Sequence, residues 1–122
     1  GPRVQEFEVH FYDAADGTEP AKEFILGLDV KMRAKVLRTV QILADNGPDL
    51  REPYSKPIGD GIFELRAKVG SDISRVLYFF FVGRKVILTN GFIKKTPKTP
   101  KTEIELAKRY RAEFLDRKEN EQ

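Results

Sequence analysis

Residues 91–101 have the sequence GFIKKTPKTPK, in which four lysines follow a segment rich in β-branched residues. The four are Lys94, Lys95, Lys98 and Lys101. Two arginines, Arg66 and Arg75, occur earlier, in segments where apolar and polar residues alternate. Clustered cations bind phosphate, and they stabilise the negative charge that develops on a phosphoryl group during its transfer. These residues predict an anion site; the alternative is a solvated, lysine-rich connection.

The distribution of charge along the 122 residues favours an anionic partner, although the net charge is only +3. Residues 1–61 contain 8 Lys or Arg and 11 Asp or Glu, whereas residues 62–122 contain 14 and 8. Residues 62–101 alone contain 9 basic and 2 acidic residues. A domain that separates its charges in this way produces a positive field on one side.

Cysteine and histidine usage excludes several kinds of site. The chain has no cysteine, so a disulfide framework, thiolate chemistry and a cysteine zinc site are excluded. Its one histidine, His10, cannot form a histidine metal cluster, and we expect no metal and no cofactor. No apolar run has the length of a membrane span, so we expect a cytoplasmic protein without a membrane partner.

Length and periodicity predict one α+β domain with the order β-α-α-β-β-β-α. We expect residues 1–2 to be a tag remnant, residues 3–118 the domain and residues 119–122 a polar tail. The first strand is expected to direct Val4, Phe7 or Val9, and Phe11 towards the core. The predicted elements are a strand over 4–13, helices within 17–28 and 29–48, a loop over 49–61, strands over 62–69, 73–82 and 85–95, and a helix over 99–117.

A two-residue turn at 83–84 predicts the register of the hairpin around it. In this register Val82 pairs with Lys85. The pairs expected further along the two strands are Arg75 with Phe92 and Ile73 with Lys94.

A second two-residue turn at 70–71 would place Arg66 opposite Arg75 and Lys68 beside Ile73. Like charges on neighbouring strands destabilise a sheet by up to about 1 kcal/mol. Arg75 has no evident partner in the sequence that would offset this repulsion. An anion bound beside the two arginines would remove it. Phe92 in the same row offers a ring on which a base could stack.

Each of these interpretations has a plainer alternative. Arg66 can pair with Glu64 or Asp72, and Phe92 can belong to the core. Acidic residues at the start of the last helix can neutralise two lysines of the run; these acids are Glu103 and Glu105, and the lysines are Lys98 and Lys101.

The motifs GIFELRAKV, SRVLYFFF and TNGFIKKTPKTP, followed by EIELAKRY, resemble the HigB-like, phage-derived branch of the RelE/ParE toxin superfamily. The pattern spans residues 59–108, and a weaker N-terminal match extends the resemblance to nearly the whole chain. The resemblance implies a RelE-like fold, with an N-terminal helical hairpin and a C-terminal helix. It also implies the toxin of a type II toxin–antitoxin pair, an endoribonuclease that cuts messenger RNA on the ribosome. The implied partner is a helix-turn-helix, HigA-like antitoxin, together with which the toxin binds operon DNA.

The resemblance also implies roles for individual residues. Arg75 matches the family's arginine that stabilises the scissile phosphate, and Arg66 matches the arginine of the Glu-Leu-Arg motif. Lys94 and Lys95 match the basic pair after Gly-Phe, and Lys56 lies near a basic position of some relatives.

The sequence departs from relatives that use histidines with an aspartate, or a C-terminal tyrosine, at the cut. His10 is distant from the basic motifs, and Tyr110 is expected in the core. We therefore expect metal-independent chemistry on lysine and arginine alone. The candidates are Lys56 or Lys68 as base, Lys94 or Lys95 as acid, Arg66 and Arg75 as phosphate clamp, and Phe92, Lys98 and Lys101 as RNA contacts.

Two other functions fit the same sequence. A ParE-like toxin would inhibit a protein target such as gyrase without cutting RNA. A noncatalytic module would bind RNA or DNA in a salt-dependent manner and yield no product.

Overall fold

Five strands and three α-helices form the fold of residues 6–121, the part of the chain that the computed structural model describes. The strands are β1 (Glu8–Phe11), β2 (Ser55–Gly59), β3 (Ile62–Val69), β4 (Asp72–Phe81) and β5 (Lys85–Ile93). The helices are α1 (Pro20–Leu26), α2 (Val30–Asn46) and α3 (Lys101–Asn120), with a 3-10 turn at Gly47–Asp49. The strands lie in the order β1-β5-β4-β3-β2; β1 is parallel to β5 and the other pairs are antiparallel. The predicted α+β class is confirmed.

Helices cover both faces of the sheet. On one face, Val36 and Leu43 of α2 pack in a core cluster with Leu65 of β3. On the other, Phe114 of α3 packs against Phe79 of β4. Successive side chains of a strand point to opposite faces, so a strand covered on both sides is apolar throughout. This explains the uninterrupted apolar run at residues 76–81 of β4, which lies in the middle of the sheet.

Helix α2 agrees closely with its prediction. Asp29 caps its start, since the side chain accepts a hydrogen bond from the Met32 N–H at 2.9 Å. Gly47 ends it with a φ of 53°, and a side chain at this position would overlap the ring of Phe7. The side of the helix that faces the core is the predicted stripe of Met32, Val36, Val40 and Leu43.

Strand β2 contradicts the prediction of a loop over residues 49–61. Pro57 and the nearby glycines indicated irregular structure, but β2 is an edge strand, where a proline is tolerated. Lys56 lies opposite Glu64 of β3, and the register shifts between Pro57 and Gly59. The observed order is therefore β-α-α-β-β-β-β-α, one strand more than expected.

The β4–β5 hairpin differs from the prediction at its tip and agrees with it further along. Lys85 lies opposite Phe81 and not Val82, so the loop has three residues rather than two. Thr89 is then left without a partner at a β-bulge, which shifts the register by one residue. The two differences cancel, and Arg75 lies opposite its predicted partner.

The ends of the chain also bear on the prediction. Phe7, Val9 and Phe11 pack against the core as expected, whereas Val4 and the supposed tag residues lie outside the described residues. Helix α3 continues to Asn120, beyond the domain boundary expected at residue 118. Within residues 6–121, no helix combines the length and apolarity needed to cross a membrane.

Candidate phosphate-binding site

The two predicted rows of side chains are present on the α3 face of the sheet. Arg66 lies opposite Arg75, which lies opposite Phe92. One row further, Lys68 lies opposite Ile73, whose carbonyl accepts a hydrogen bond from the Lys94 N–H at 2.8 Å. The register predictions for these cations are therefore confirmed.

The cations of these two rows line a cleft of about 430 Å³ that we call the arginine cleft. Its lining residues are Lys35, Pro53, Tyr54, Arg66, Ala67, Lys68, Ile73, Arg75 and Lys94. Five of these nine residues are cations, and none of the nine described lining residues is a carboxylate. Lys35 comes from α2 and was not predicted. A cleft with this lining attracts an anion, because its walls focus the field of the cations.

Arg75 is buried, and it has a partner that the sequence analysis did not give it. Its Nε atom lies 2.5 Å from Oε1 of Glu64, and the two side chains are only 5% and 3% exposed. The N–H direction leaves this contact outside hydrogen-bond geometry, so it is an ion pair at close range. A second nitrogen, Nη1, donates to the carbonyl of Ser74 at 3.2 Å. The expectation that Arg75 lacks a partner is wrong.

Glu64 also offsets the repulsion between the two arginines. The Nε atom of Arg66 lies 3.6 Å from Oε1 of Glu64. The Nη1 atom of Arg66 lies 3.0 Å from Oε1 of Glu52. Oε2 of Glu64 accepts a hydrogen bond from the hydroxyl of Thr99, in the segment that carries the lysine run. The suggested pairing of Arg66 with Glu64 is confirmed. The adjacent arginines therefore do not by themselves require a bound anion.

The surroundings of Lys94 alter the acidity of its amine. Burial lowers the pKa of Lys94 from its ordinary value, and the charges of Arg75, Arg66 and Lys56 lower it further. Glu64 acts in the opposite direction. Among residues 6–121, no carboxylate lies within 4 Å of the Lys94 amine. A lowered pKa increases the neutral fraction of the amine, which can then accept a proton.

A second cleft, of about 320 Å³, lies against the first, and we call it the proline cleft. Its lining residues are Lys56, Pro57, Ile58, Glu64, Arg66, Lys94, Pro97, Lys98, Thr99 and Ile104. Arg66 and Lys94 line both clefts, so the two adjoin each other. The predicted site residues Lys56 and Lys98 belong to this second cleft.

Three predicted residues line neither cleft. Phe92 packs in an apolar cluster with Ile62 and Ala107, which favours its core alternative over a base platform. Lys95 is exposed on the segment after β5, and Lys101 is exposed at the first position of α3. Their roles in RNA binding or catalysis stay predictions.

Neither the histidine nor the C-terminal tyrosine considered as a catalytic group lines the two clefts. His10 is exposed on β1, where its Nε2 atom lies 3.9 Å from Glu8. Tyr110 stacks on the buried Tyr12 with ring centroids 4.5 Å apart, in agreement with the expected core position. Within residues 6–121, no three histidine or carboxylate side chains are grouped so that they could hold a metal ion.

A comparison with known protein families identifies a match that covers most of the chain. A family model described as phage derived protein Gp49-like (DUF891) matches residues 23–112, which are 90 of the 122 residues. The matched segment contains both clefts, whose lining residues run from Lys35 to Ile104. No curated protein matches the chain.

Proposed function

Because the chain belongs to the phage-derived Gp49-like family, which is associated with toxin-like proteins, we propose that it is an endoribonuclease toxin of a type II toxin–antitoxin pair. The observation that carries the proposal is the arginine cleft, where five cations and no carboxylate line the cleft among residues 6–121. The HigB-like motifs of the sequence support the same proposal. The substrate is messenger RNA on the ribosome. The partner is a helix-turn-helix antitoxin, with which the toxin binds operon DNA.

The reaction proposed is attack of an RNA 2′-OH on the adjacent phosphorus. The new O2′–P bond forms as the P–O5′ bond breaks, which leaves a 2′,3′-cyclic phosphate and a 5′-OH. A base takes the 2′-OH proton, and an acid gives a proton to the departing O5′ atom. Arg66 and Arg75 stabilise the charge on the phosphorane, and a donor in such a position typically contributes about 10²- to 10³-fold in rate.

The lowered pKa of Lys94 favours this lysine as the base, because it increases the neutral fraction of the amine. Lys68 lies in the same row across the sheet and is the candidate acid. This assignment reverses the expectation from the sequence, which gave Lys94 or Lys95 the acid role. Lys56 lines the proline cleft and does not line the arginine cleft, so it is the weaker candidate for proton transfer.

The proposal is tested by adding the purified protein to a translating system and mapping new 5′ ends on the message. We expect cuts that persist when EDTA leaves only the magnesium needed by ribosomes, with 2′,3′-cyclic phosphate at the product ends. A folded Lys94→Ala variant should cut at least 100-fold more slowly. Products that end in a 3′-OH would contradict the 2′-OH mechanism. Arrested translation without cuts would refute the endoribonuclease and favour a toxin that acts on a protein target.

The matched control is Lys85→Ala. Lys85 lies at the opposite end of β5 from Lys94 and makes no ion pair among residues 6–121. Nine residues of strand separate the two lysines by about 30 Å. Both variants remove one lysine charge, so a rate loss at Lys94 alone reports position and not net charge.

A further inference from the structure

The proline cleft differs chemically from the arginine cleft to which it is joined. Four of its ten lining residues are cations and four are apolar, and the other two are Glu64 and Thr99. The apolar residues are Pro57, Ile58, Pro97 and Ile104. A site that bound a bare phosphate would not need an apolar wall, and a site for an apolar ligand would not need four cations.

A nucleotide combines these two properties, since its base has an apolar face and its phosphate is an anion. On the basis of the proposed function, we propose that the proline cleft binds the phosphate and the base of the nucleotide next to the cleaved linkage. Lys56 and Lys98 contact that phosphate, and the base lies against the prolines and isoleucines. Arg66 and Lys94 connect this subsite with the cleaved phosphate in the arginine cleft. The substrate is therefore a strand, and an isolated phosphodiester binds poorly.

Hydrogen bonds hold the wall of the proline cleft in place. The Thr99 hydroxyl donates to Glu64, which is itself buried against Arg75. The Thr96 hydroxyl donates to the carbonyl of Lys98 at 2.8 Å. The Thr99 contact ties the segment that carries the lysine run to the sheet, and Lys98, although exposed, lines the cleft. A subsite that is built before the ligand arrives loses less entropy on binding.

The size of the cleft agrees with this ligand. Pockets for small ligands occupy about 300–1,000 Å³, and the proline cleft of about 320 Å³ lies at the lower end of that range. It is large enough for one nucleotide and too small for a folded RNA element. Single-stranded RNA, whose bases are free to leave the stack, is the form that fits.

The test measures binding without cleavage, using 2′-O-methyl oligonucleotides that lack the attacking hydroxyl. A dinucleotide has one phosphate and a trinucleotide has two. Binding of each is measured by fluorescence anisotropy between 50 and 300 mM salt, for the parent protein and for the variants Lys98→Ala, Lys56→Ala and Lys85→Ala. Loss of one phosphate contact lowers the slope of log K against log salt by about 0.7 for a single strand.

We expect Lys98→Ala and Lys56→Ala to lower that slope for the trinucleotide and to leave the dinucleotide unchanged. Lys85→Ala should alter neither. Replacing one terminal base of the trinucleotide by an abasic residue should weaken binding about fivefold, the equivalent of burying about 40 Å² of apolar surface. Whether the 5′ or the 3′ substitution has this effect gives the direction of the strand.

Three results would overturn the subsite. Equal losses for both oligonucleotides would mean that the lysines act through net charge only. Salt slopes equal to those of the parent for both lysine variants would mean that the lysine run is a solvated connection. Unchanged affinity after both abasic substitutions would mean that no base binds in the proline cleft. Each of these leaves the proposed cleavage untouched, because cleavage is measured separately on ribosomes. A parent protein that binds neither oligonucleotide also overturns the subsite, whereas the proposed cleavage is decided by the ribosome assay alone.

Discussion

Removing Arg75 should destabilise the fold as well as the proposed chemistry. Arg75 and Glu64 are both buried, and their charged atoms lie 2.5 Å apart. Replacing Arg75 by Gln leaves the Glu64 carboxylate buried, with the Thr99 hydroxyl and the more distant Arg66 as its remaining partners. Breaking a buried pair on one side costs about 3–5 kcal/mol. Since Arg66 still compensates in part, we expect about 3 kcal/mol for Arg75→Gln.

Urea unfolding measures this change. With a slope of about 1.5 kcal/mol per molar urea, a loss of 3 kcal/mol lowers the midpoint by about 2 M. Arg66→Gln is the control, because the Arg66 side chain is 23% exposed and one of its two partners, Glu52, is 66% exposed. For that variant we expect a loss below about 1 kcal/mol.

A double-mutant cycle isolates the pair. Glu64→Gln leaves Arg75 unpaired, and the double variant removes both charges, so the double should lose less stability than the sum of the singles. We expect a coupling energy of about 2 kcal/mol, within the range for residues in direct contact. Additive losses, or equal midpoints for Arg75→Gln and Arg66→Gln, would refute the buried ion pair. If the pair is present, loss of toxicity in an Arg75 variant does not identify Arg75 as catalytic unless the folded fraction is also measured.

Three further predictions follow from single side chains. If Lys94 is the base, the single-turnover rate should rise tenfold per pH unit, because only the neutral amine accepts a proton. The rate should level off at a pH below 10.5, the ordinary pKa of lysine. A Lys94→Ala variant with the same pH profile would contradict this. Lys35→Ala should lower the salt slope of dinucleotide binding by about 0.7, and an unchanged slope would remove Lys35 from the site. Tyr78→Phe should cost about 1–2 kcal/mol in urea unfolding, because its hydroxyl is hydrogen-bonded to the buried Ser55; a neutral result would show that Ser55 finds another partner.

The row of cations could be predicted from the sequence because turns and strand alternation determine it. The turn at residues 70–71 has the expected two residues, so Arg66 lies opposite Arg75 without any correction. At the other hairpin, the prediction at the site was correct only because two errors cancelled. Neither the three-residue loop nor the bulge at Thr89 has a signal in the sequence as strong as an alternating strand.

Other parts of the site depend on packing that local patterns do not contain. Glu64 lies opposite Leu77 rather than Arg75, so its ion pair is diagonal across the strands and depends on side-chain conformations. Lys35 enters the arginine cleft from α2, and the placement of a helix over a sheet cannot be derived from the hydrophobic stripe that faces the core. Strand β2 was not predicted because a proline fits a strand only at the edge of a sheet, and the sequence does not show which strand is at the edge.

The bulge at Thr89 joins the docking of α3 to the chemistry of the site. Before the bulge, Ile87 faces α3, and a regular strand would then direct Lys94 to the opposite face, away from Arg75. The bulge reverses the alternation of side chains between the two faces of the sheet, and hydrogen bonds stabilise the bulge. Thr89 donates to the carbonyl of Leu77 at 3.1 Å, and the side chain of Asn90 donates to Glu103 of α3. The helix that covers this face thus helps to hold Lys94 on the face of the arginines, so that one irregularity in β5 serves both the core and the candidate site.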